Sequence, residues 1–196
     1  MDKNQIVVAI EGIDGAGKTT LINAICQSFE GKVTIYKRTH KGNFIDKLVS
    51  SKMMQKYYIL QIPIYLLLSY KNYLLFRLKK KKQIVIMDRC FLSNICYFFP
   101  KAIWNNKLLY RLLLFEIKMF PQIIFILDVE PKTGRIRDAN KKSLKWLEDT
   151  REAYLNAVNS DLTKWIKITV IQESLSIEEK KKIIINYIKG EMRNGN

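Results

Sequence analysis

The strongest constraint on the fold is a series of five short apolar segments in which apolar and polar residues barely alternate. They are QIVVAIE (5–11), KVTIYKR (32–38), QIVIMD (83–88), QIIFILDV (122–129) and IKITVI (166–171). Their length and their Ile and Val content are typical of parallel strands covered on both faces. Segments with helical periodicity separate the strands and follow the last one: 19–29, 43–51, 57–80, 91–98, 107–119, 131–139, 143–158 and 177–189. This alternation predicts an α/β protein with a doubly wound, five-stranded parallel sheet flanked by helices.

The composition favours one globular domain over residues 1–196. Of the 196 residues 48% are hydrophobic, and no repeat, linker or shift in composition divides the chain. Three cysteines without C-x-x-C spacing argue against a zinc site or a disulfide framework and favour a reducing compartment. The apolar segment 57–78 contains Gln61, Pro63 and Lys71, so we interpret it as a buried helix and not as a membrane span. The sequence therefore predicts a cytoplasmic protein that does not enter a membrane.

The net charge indicates an anionic partner. Lys and Arg number 34 against 18 Asp and Glu, which gives +16. The lysines are scattered or lie in solvated runs, and no basic patch interleaved with aromatic residues is evident. The expected partners are therefore small-molecule nucleotides, and nucleic acid is the less favoured alternative.

Residues 12–19, GIDGAGKT, match the phosphate-binding pattern G-x-x-x-x-G-K-[ST] between the first strand and the first helix. Glycines let backbone N–H groups surround a phosphate, and the helix N-terminus adds partial positive charge. We expect Lys18 to contact the β- and γ-phosphates of ATP and the Thr19 hydroxyl to bind Mg²⁺. The fold is thus predicted to be of the P-loop NTPase type. The predicted ATP-binding residues of this loop are Gly12, Asp14, Gly15, Ala16, Gly17, Lys18, Thr19 and Thr20.

A second pair of candidate residues ends the third strand. Asp88 lies where a carboxylate next to the phosphate loop would hold Mg²⁺, and Arg89 follows it. The guanidinium of Arg89 suits phosphate, and ligands of open α/β sheets bind at these strand ends.

Four segments resemble the thymidylate kinase family and, more broadly, the nucleoside-monophosphate kinases. They are IEGIDGAGKTT (10–20), DRCFLSNICYF (88–98), FPQIIFILDVEP (120–131) and WLEDTREAYLNA (146–157), the last with Arg151 and Tyr154 in register. The resemblance implies that Asp14 faces the acceptor nucleotide and accepts a hydrogen bond from its 3′-hydroxyl. It also implies that Arg38 contacts the acceptor phosphate, that Arg89 lies between the two substrates, that Ser93 and Tyr97 line the acceptor pocket, and that Arg137 packs on the donor adenine.

The chain departs from the family pattern at three places. THKGN (39–43) replaces a turn that usually contains proline, and Lys41 becomes a candidate for a phosphate contact. Leu68 and Asn72 stand where the resemblance implies an aromatic residue and an arginine for the acceptor. The lid is short, at about residues 135–143, and Arg135 is the candidate catalytic arginine that would close over the phosphates together with Lys18 and Arg89.

We therefore expect a Mg²⁺-dependent kinase that transfers the γ-phosphoryl group of ATP to dTMP. A kinase for a deoxynucleoside or another monophosphate is the first alternative. A catalytically decayed family member that binds nucleotide or nucleic acid is the second. The resemblance implies a homodimer through the long helix at 57–80, although a monomer core explains that apolar helix equally well.

Overall fold

A computed structural model describes residues 5–29, 31–37, 70, 83–98 and 123–194. The helices predicted at 43–51 and 107–119 lie outside these residues, and of the one at 57–80 only Tyr70 is described, in helical conformation. Four predicted acceptor residues also lie outside the described part: Arg38, Lys41, Leu68 and Asn72.

The sheet contains the five predicted strands, each within one residue of its predicted ends. They are β1 (Ile6–Glu11), β2 (Val33–Lys37), β3 (Ile84–Asp88), β4 (Ile123–Asp128) and β5 (Lys167–Gln172), in the order β2-β3-β1-β4-β5. β1 pairs in parallel with β3 and with β4, and β4 pairs in parallel with β5. The chain moves to one side of β1 through β2 and β3 and to the other through β4 and β5, which places the topological switch point at β1.

Five α-helices of the described residues follow the strands. They are α1 (Lys18–Gln27), α2 (Phe91–Phe98), α3 (Pro131–Arg137), α4 (Leu144–Val158) and α5 (Ile177–Asn194). α3 begins with a proline at its first position, which is common at helix N-termini. α4 is capped by the Ser143 hydroxyl, which accepts a hydrogen bond from Trp146 N. Ser176 and Glu179 form a reciprocal capping box at the start of α5.

The core lies along the central strands, as the unalternating apolar segments predict. All of β1 is buried, and β3 and β4 are buried up to the aspartate that ends each of them. The edge strand β2 is half-exposed. The polar residues that end β1, β3 and β4 therefore meet at the carboxyl edge of the sheet, next to the switch point.

The last helix is longer than its sequence pattern predicts. The pattern ends at residue 189, whereas α5 continues to Asn194. No proline interrupts this segment, and Arg193 in the last turn interacts favourably with the helix dipole.

Contacts within the chain divide it into two compact units, Met1–Tyr36 with Lys81–Asn196, and Lys37–Lys80. Of the second unit the structure describes only Lys37 and Tyr70. A single domain over 1–196 stays a prediction. In the part of the chain that is described, no helix is long and apolar enough to cross a membrane.

Candidate active site

The loop between β1 and α1 is packed directly on α3. Gly15 has a positive φ of 77°, and a Cβ atom at this position would lie 2.0 Å from the carbonyl oxygen of Gly134. A Cβ atom at Gly134 would lie 2.8 Å from the carbonyl oxygen of Asp14 and 2.9 Å from the Ile13 side chain. Only glycine at both positions permits this approach of two backbones. The phosphate loop and α3, which leads into the predicted lid, are therefore in direct contact.

Lys18 is buried beneath the loop, with 7% of its surface exposed. Its Nζ donates to the carbonyl oxygens of Gly12 at 2.9 Å and Ile13 at 2.7 Å. These carbonyls favour the ammonium form, but burial opposes it more strongly. Burial, together with the charge of Arg89, lowers the pKa of Lys18 to about 7. A bound triphosphate would supply the negative charge that restores the ammonium form.

The two predicted Mg²⁺ residues offer oxygen donors only. Thr19 lies exposed in the first turn of α1, and Asp88 ends β3 in register with Ile10 of β1. Within the described ranges no cluster of three or more His, Cys, Asp or Glu side chains could hold a metal unaided. One hydroxyl and one carboxylate fit Mg²⁺, which takes its remaining ligands from phosphates and water.

Asp14 is turned toward α2. Its Oδ1 accepts hydrogen bonds from Arg89 Nη2 at 2.5 Å and from the Tyr97 hydroxyl at 3.1 Å. Burial raises the pKa of Tyr97, so the hydroxyl stays protonated and donates. The carboxylate thus faces Arg89 and Tyr97, as the acceptor-side interpretation of this residue requires. Its contact with an acceptor nucleotide stays a prediction.

Arg89 joins the phosphate loop to α2. Its Nη1 donates to Gly12 O and to Ser93 Oγ, each at 3.3 Å, and its guanidinium carbon lies 4.6 Å from the centroid of the Tyr97 ring. Its backbone is in the left-handed region with φ of 72°, which is rare for a residue other than glycine. This conformation turns the side chain back across the loop.

A buried carboxylate, Glu11, ends β1 and has no exposed surface; it was not among the residues predicted from the sequence. Its Oε1 accepts from the backbone N–H groups of Cys90 at 2.6 Å and Ser93 at 3.2 Å. Its Oε2 accepts from the hydroxyls of Ser93 at 2.5 Å and Tyr154 at 2.9 Å. A glutamate that ends a fully apolar strand was the available sequence signal, because a buried carboxylate needs partners.

Ser93 is buried with 5% exposure, and its hydroxyl is already bonded to Glu11 and lies 3.1 Å from the hydroxyl of Tyr154. The described geometry therefore assigns it a part in fixing Arg89. Lining of the acceptor pocket by Ser93 stays a prediction.

Ion pairs connect the strand ends to the helices around the predicted lid. Arg151 binds Asp128 through two hydrogen bonds, Nε to Oδ1 at 2.6 Å and Nη2 to Oδ2 at 3.0 Å. Arg137 pairs with Glu173 at 3.2 Å, and half of its side chain is exposed. Arg135 lies in α3, and its Nε is buried without a hydrogen-bond partner among the residues that the structure describes. Arg135 and Arg137 thus follow Gly134, the residue that touches the phosphate loop.

We predict that nucleotide binding takes up protons above pH 7. Since the pKa of Lys18 is about 7 in the free chain and a triphosphate stabilises the ammonium, the Kd for MgATP should rise about tenfold per pH unit between pH 7.5 and 9. Isothermal titration calorimetry at pH 8.5, in buffers of different ionisation enthalpy, measures the uptake. The control Lys18→Arg, whose side chain stays charged, should show weak binding without this pH dependence. A pH-independent Kd with no proton uptake in the native protein would contradict the prediction.

Gly134→Ala should weaken ATP binding, because its Cβ would push against the Asp14 carbonyl and displace the phosphate loop. We expect a rise in Kd of about tenfold, or about 1.4 kcal/mol. Gly190→Ala in α5 is the matched control, because its Cβ position has no neighbour within 4 Å among the described residues outside the helix's own backbone. This change should leave ATP binding unaltered and stabilise the helix by up to about 1 kcal/mol. Titration with MgATP and thermal unfolding measure both effects, and equal Kd values for the two variants would refute the proposed contact.

Comparison with known proteins identifies the family. The thymidylate kinase family model matches residues 10–184. The chain is 28% identical to the thymidylate kinase of Blochmanniella floridana over 94% of its length and 95% of that protein. Its fold is similar to deoxyadenosine kinase from M. mycoides, with a TM-score of 0.65 and 18% identity over 94% of this chain and all of that one. Thymidylate kinase from Ehrlichia chaffeensis gives a TM-score of 0.64 and 17% identity over 94% of this chain and 99% of that one.

The two solved structures have different activities by name and almost the same similarity to this chain, so they establish the fold and leave the acceptor open. The family match covers the phosphate loop, Asp88–Tyr97 and the helices around the predicted lid. This chain belongs to the thymidylate kinase family.

Proposed function

We propose that the chain transfers the γ-phosphoryl group of ATP to dTMP, giving dTDP and ADP, with Mg²⁺ bound by Thr19 and Asp88. The observation that carries the proposal is the position of Arg89. Its guanidinium contacts a carbonyl of the phosphate loop on one side and the Asp14 carboxylate on the other. A cation in this position can stabilise charge on a phosphoryl group that passes between donor and acceptor.

The donor side supports ATP. Lys18 would move from the Gly12 and Ile13 carbonyls to the β- and γ-phosphates, and the amides of the loop would hold the phosphate oxygens. Arg137 is exposed enough to pack on a base and is held by Glu173. We further propose that Arg135, whose Nε has no partner, turns to the phosphates when the segment at 135–143 closes.

The acceptor side favours a monophosphate over a nucleoside. A nucleoside hydroxyl must lose a proton to a base, whereas the oxygen of a monophosphate is already an anion. The Glu11 carboxylate is saturated by four hydrogen bonds and Asp14 is paired with Arg89, so neither is a free base. In-line transfer to an anion then requires positioning and charge stabilisation alone.

The proposal includes a homodimer through the helix predicted at 57–80 and a cytoplasmic location. The location is supported by Cys26, Cys90 and Cys96, none of which forms a disulfide. Measurement of the molar mass by light scattering tests the dimer, and a monomer at micromolar concentration would contradict it.

Release of ADP should depend on dTMP. A coupled assay compares dTMP, dUMP, UMP, CMP, thymidine and no acceptor, with Lys18→Met as the inactive control. We expect dTMP to give the highest kcat/KM and the control to lose at least about 100-fold of it. Activity with thymidine alone would indicate a nucleoside kinase. If none of the acceptors gives release of ADP, the chain is a decayed family member.

Asp14→Asn should raise the KM for dTMP far more than the KM for ATP, because Asp14 faces Arg89 and Tyr97. Loss of a charged hydrogen bond worth about 1.5–3 kcal/mol predicts a rise of roughly 10- to 100-fold for dTMP. The exposed Asp161, which pairs with Lys164 in the 3₁₀ turn Asp161–Lys164, provides the control Asp161→Asn. Equal effects of Asp14→Asn on both KM values would mean that the side chain serves the donor.

A further inference from the structure

We infer that Glu11 is the positioning residue of the acceptor site: its carboxylate caps α2 from outside the helix and thereby fixes Arg89 against the phosphate loop. This inference rests on the proposed function for its kinetic consequence. The hydrogen bonds on which it stands do not depend on that function.

At the start of α2 a carboxylate from β1 accepts hydrogen bonds from two backbone N–H groups. Phe91 is the first helical residue, so Cys90 is in the N-cap position, where a thiol is a weak acceptor. Glu11 Oε1 accepts instead from the N–H of Cys90 and from the N–H of Ser93, the third helical residue. These two amides are the ones that a Ser-x-x-Glu capping box would satisfy from within the helix. The carboxylate also places negative charge at the positive end of the helix dipole.

The cap determines the conformation of the residue that precedes it. Arg89 lies between Asp88, the last residue of β3, and the capped Cys90 amide, and it takes up the left-handed turn that joins them. Its own N–H donates to Ile10 O, the residue next to Glu11 on β1. The backbone on both sides of Arg89 is therefore tied to the end of β1. A non-glycine residue in this conformation costs of order 1–3 kcal/mol, which the surrounding hydrogen bonds must offset.

The second carboxylate oxygen extends the link to α4. Oε2 accepts from Ser93 Oγ, which in turn accepts from Arg89 Nη1 at 3.3 Å. Oε2 also accepts from the Tyr154 hydroxyl, and burial raises the pKa of Tyr154 so that this hydroxyl stays protonated. α4 follows the predicted lid and carries Arg151, which binds Asp128 at the end of β4. One carboxylate thus holds β1, α2 and α4 in a fixed arrangement around Arg89.

Glu11→Gln and Glu11→Ala separate positioning from charge. A glutamine Oε1 can accept from both backbone amides, and its NH₂ group can donate to the two hydroxyl oxygens, so the geometry persists without the charge. We expect Glu11→Gln to keep kcat/KM for dTMP within about fivefold and Glu11→Ala to lose at least about 100-fold, with the Kd for MgATP changed less than about threefold in both. Amide hydrogen exchange measured by NMR should show loss of protection at Cys90 and Ser93 in Glu11→Ala only.

Tyr154→Phe tests the inference if Glu11→Ala does not fold. It removes one of the four hydrogen bonds and keeps the ring, so kcat/KM for dTMP should fall about five- to tenfold at unchanged Kd for MgATP. Tyr187→Phe is the matched control, because Tyr187 lies on α5 against Phe125, away from Glu11, and should leave both values unaltered.

Three results would overturn the inference: equal losses in Glu11→Gln and Glu11→Ala, retained amide protection in Glu11→Ala, or a loss of activity that follows the unfolded fraction alone. If the native protein forms no ADP with dTMP, the proposed function fails, and the exchange of the Cys90 and Ser93 amides still decides whether Glu11 caps α2.

Discussion

Glu11 ends β1, and no solvent reaches its carboxylate. It accepts four hydrogen bonds, and the residues that donate them position the rest of the site. Removing an ion from water costs several kcal/mol unless charge and hydrogen bonds offset the loss. Here two backbone amides and two hydroxyls supply the hydrogen bonds, and the negative charge of Glu11 interacts favourably with the nearby Arg89 guanidinium. A carboxylate in such surroundings tolerates little displacement, because moving any donor leaves a buried acceptor unsatisfied.

This rigidity suits a reaction that needs no side-chain nucleophile. Phosphoryl transfer depends on holding two anions in line and on stabilising charge between them. α3 touches the phosphate loop through Gly134, the residue directly before Arg135. On the acceptor side, Asp14 and Tyr97 hold Arg89 through its charge and through its contact with the ring.

The sequence was sufficient for the features that depend on local pattern. The five strands, the phosphate loop and the placement of Asp88 and Arg89 at the end of β3 follow from apolar runs and from a motif with fixed spacing. The side of the loop that Asp14 faces came from a family resemblance; the structure places its carboxylate on Arg89, and its contact with an acceptor nucleotide stays a prediction. Features that depend on distant residues were missed. The pairing of Glu11 with Tyr154 joins residues 143 positions apart, and no local pattern reports it. The family resemblance placed Ser93 in the acceptor pocket, and its hydrogen bond to the buried Glu11 was not expected.

The central claim is that Arg89 is held by Glu11 through the capped helix and serves both substrates. The most direct measurement is a crystal structure with a non-hydrolysable ATP analogue, Mg²⁺ and dTMP bound together. We expect the Arg89 guanidinium to contact phosphate oxygens of both nucleotides. The Cys90 and Ser93 amides should keep their hydrogen bonds to the Glu11 carboxylate. A ternary complex in which Arg89 contacts neither nucleotide, or in which those amides have left Glu11, would contradict it.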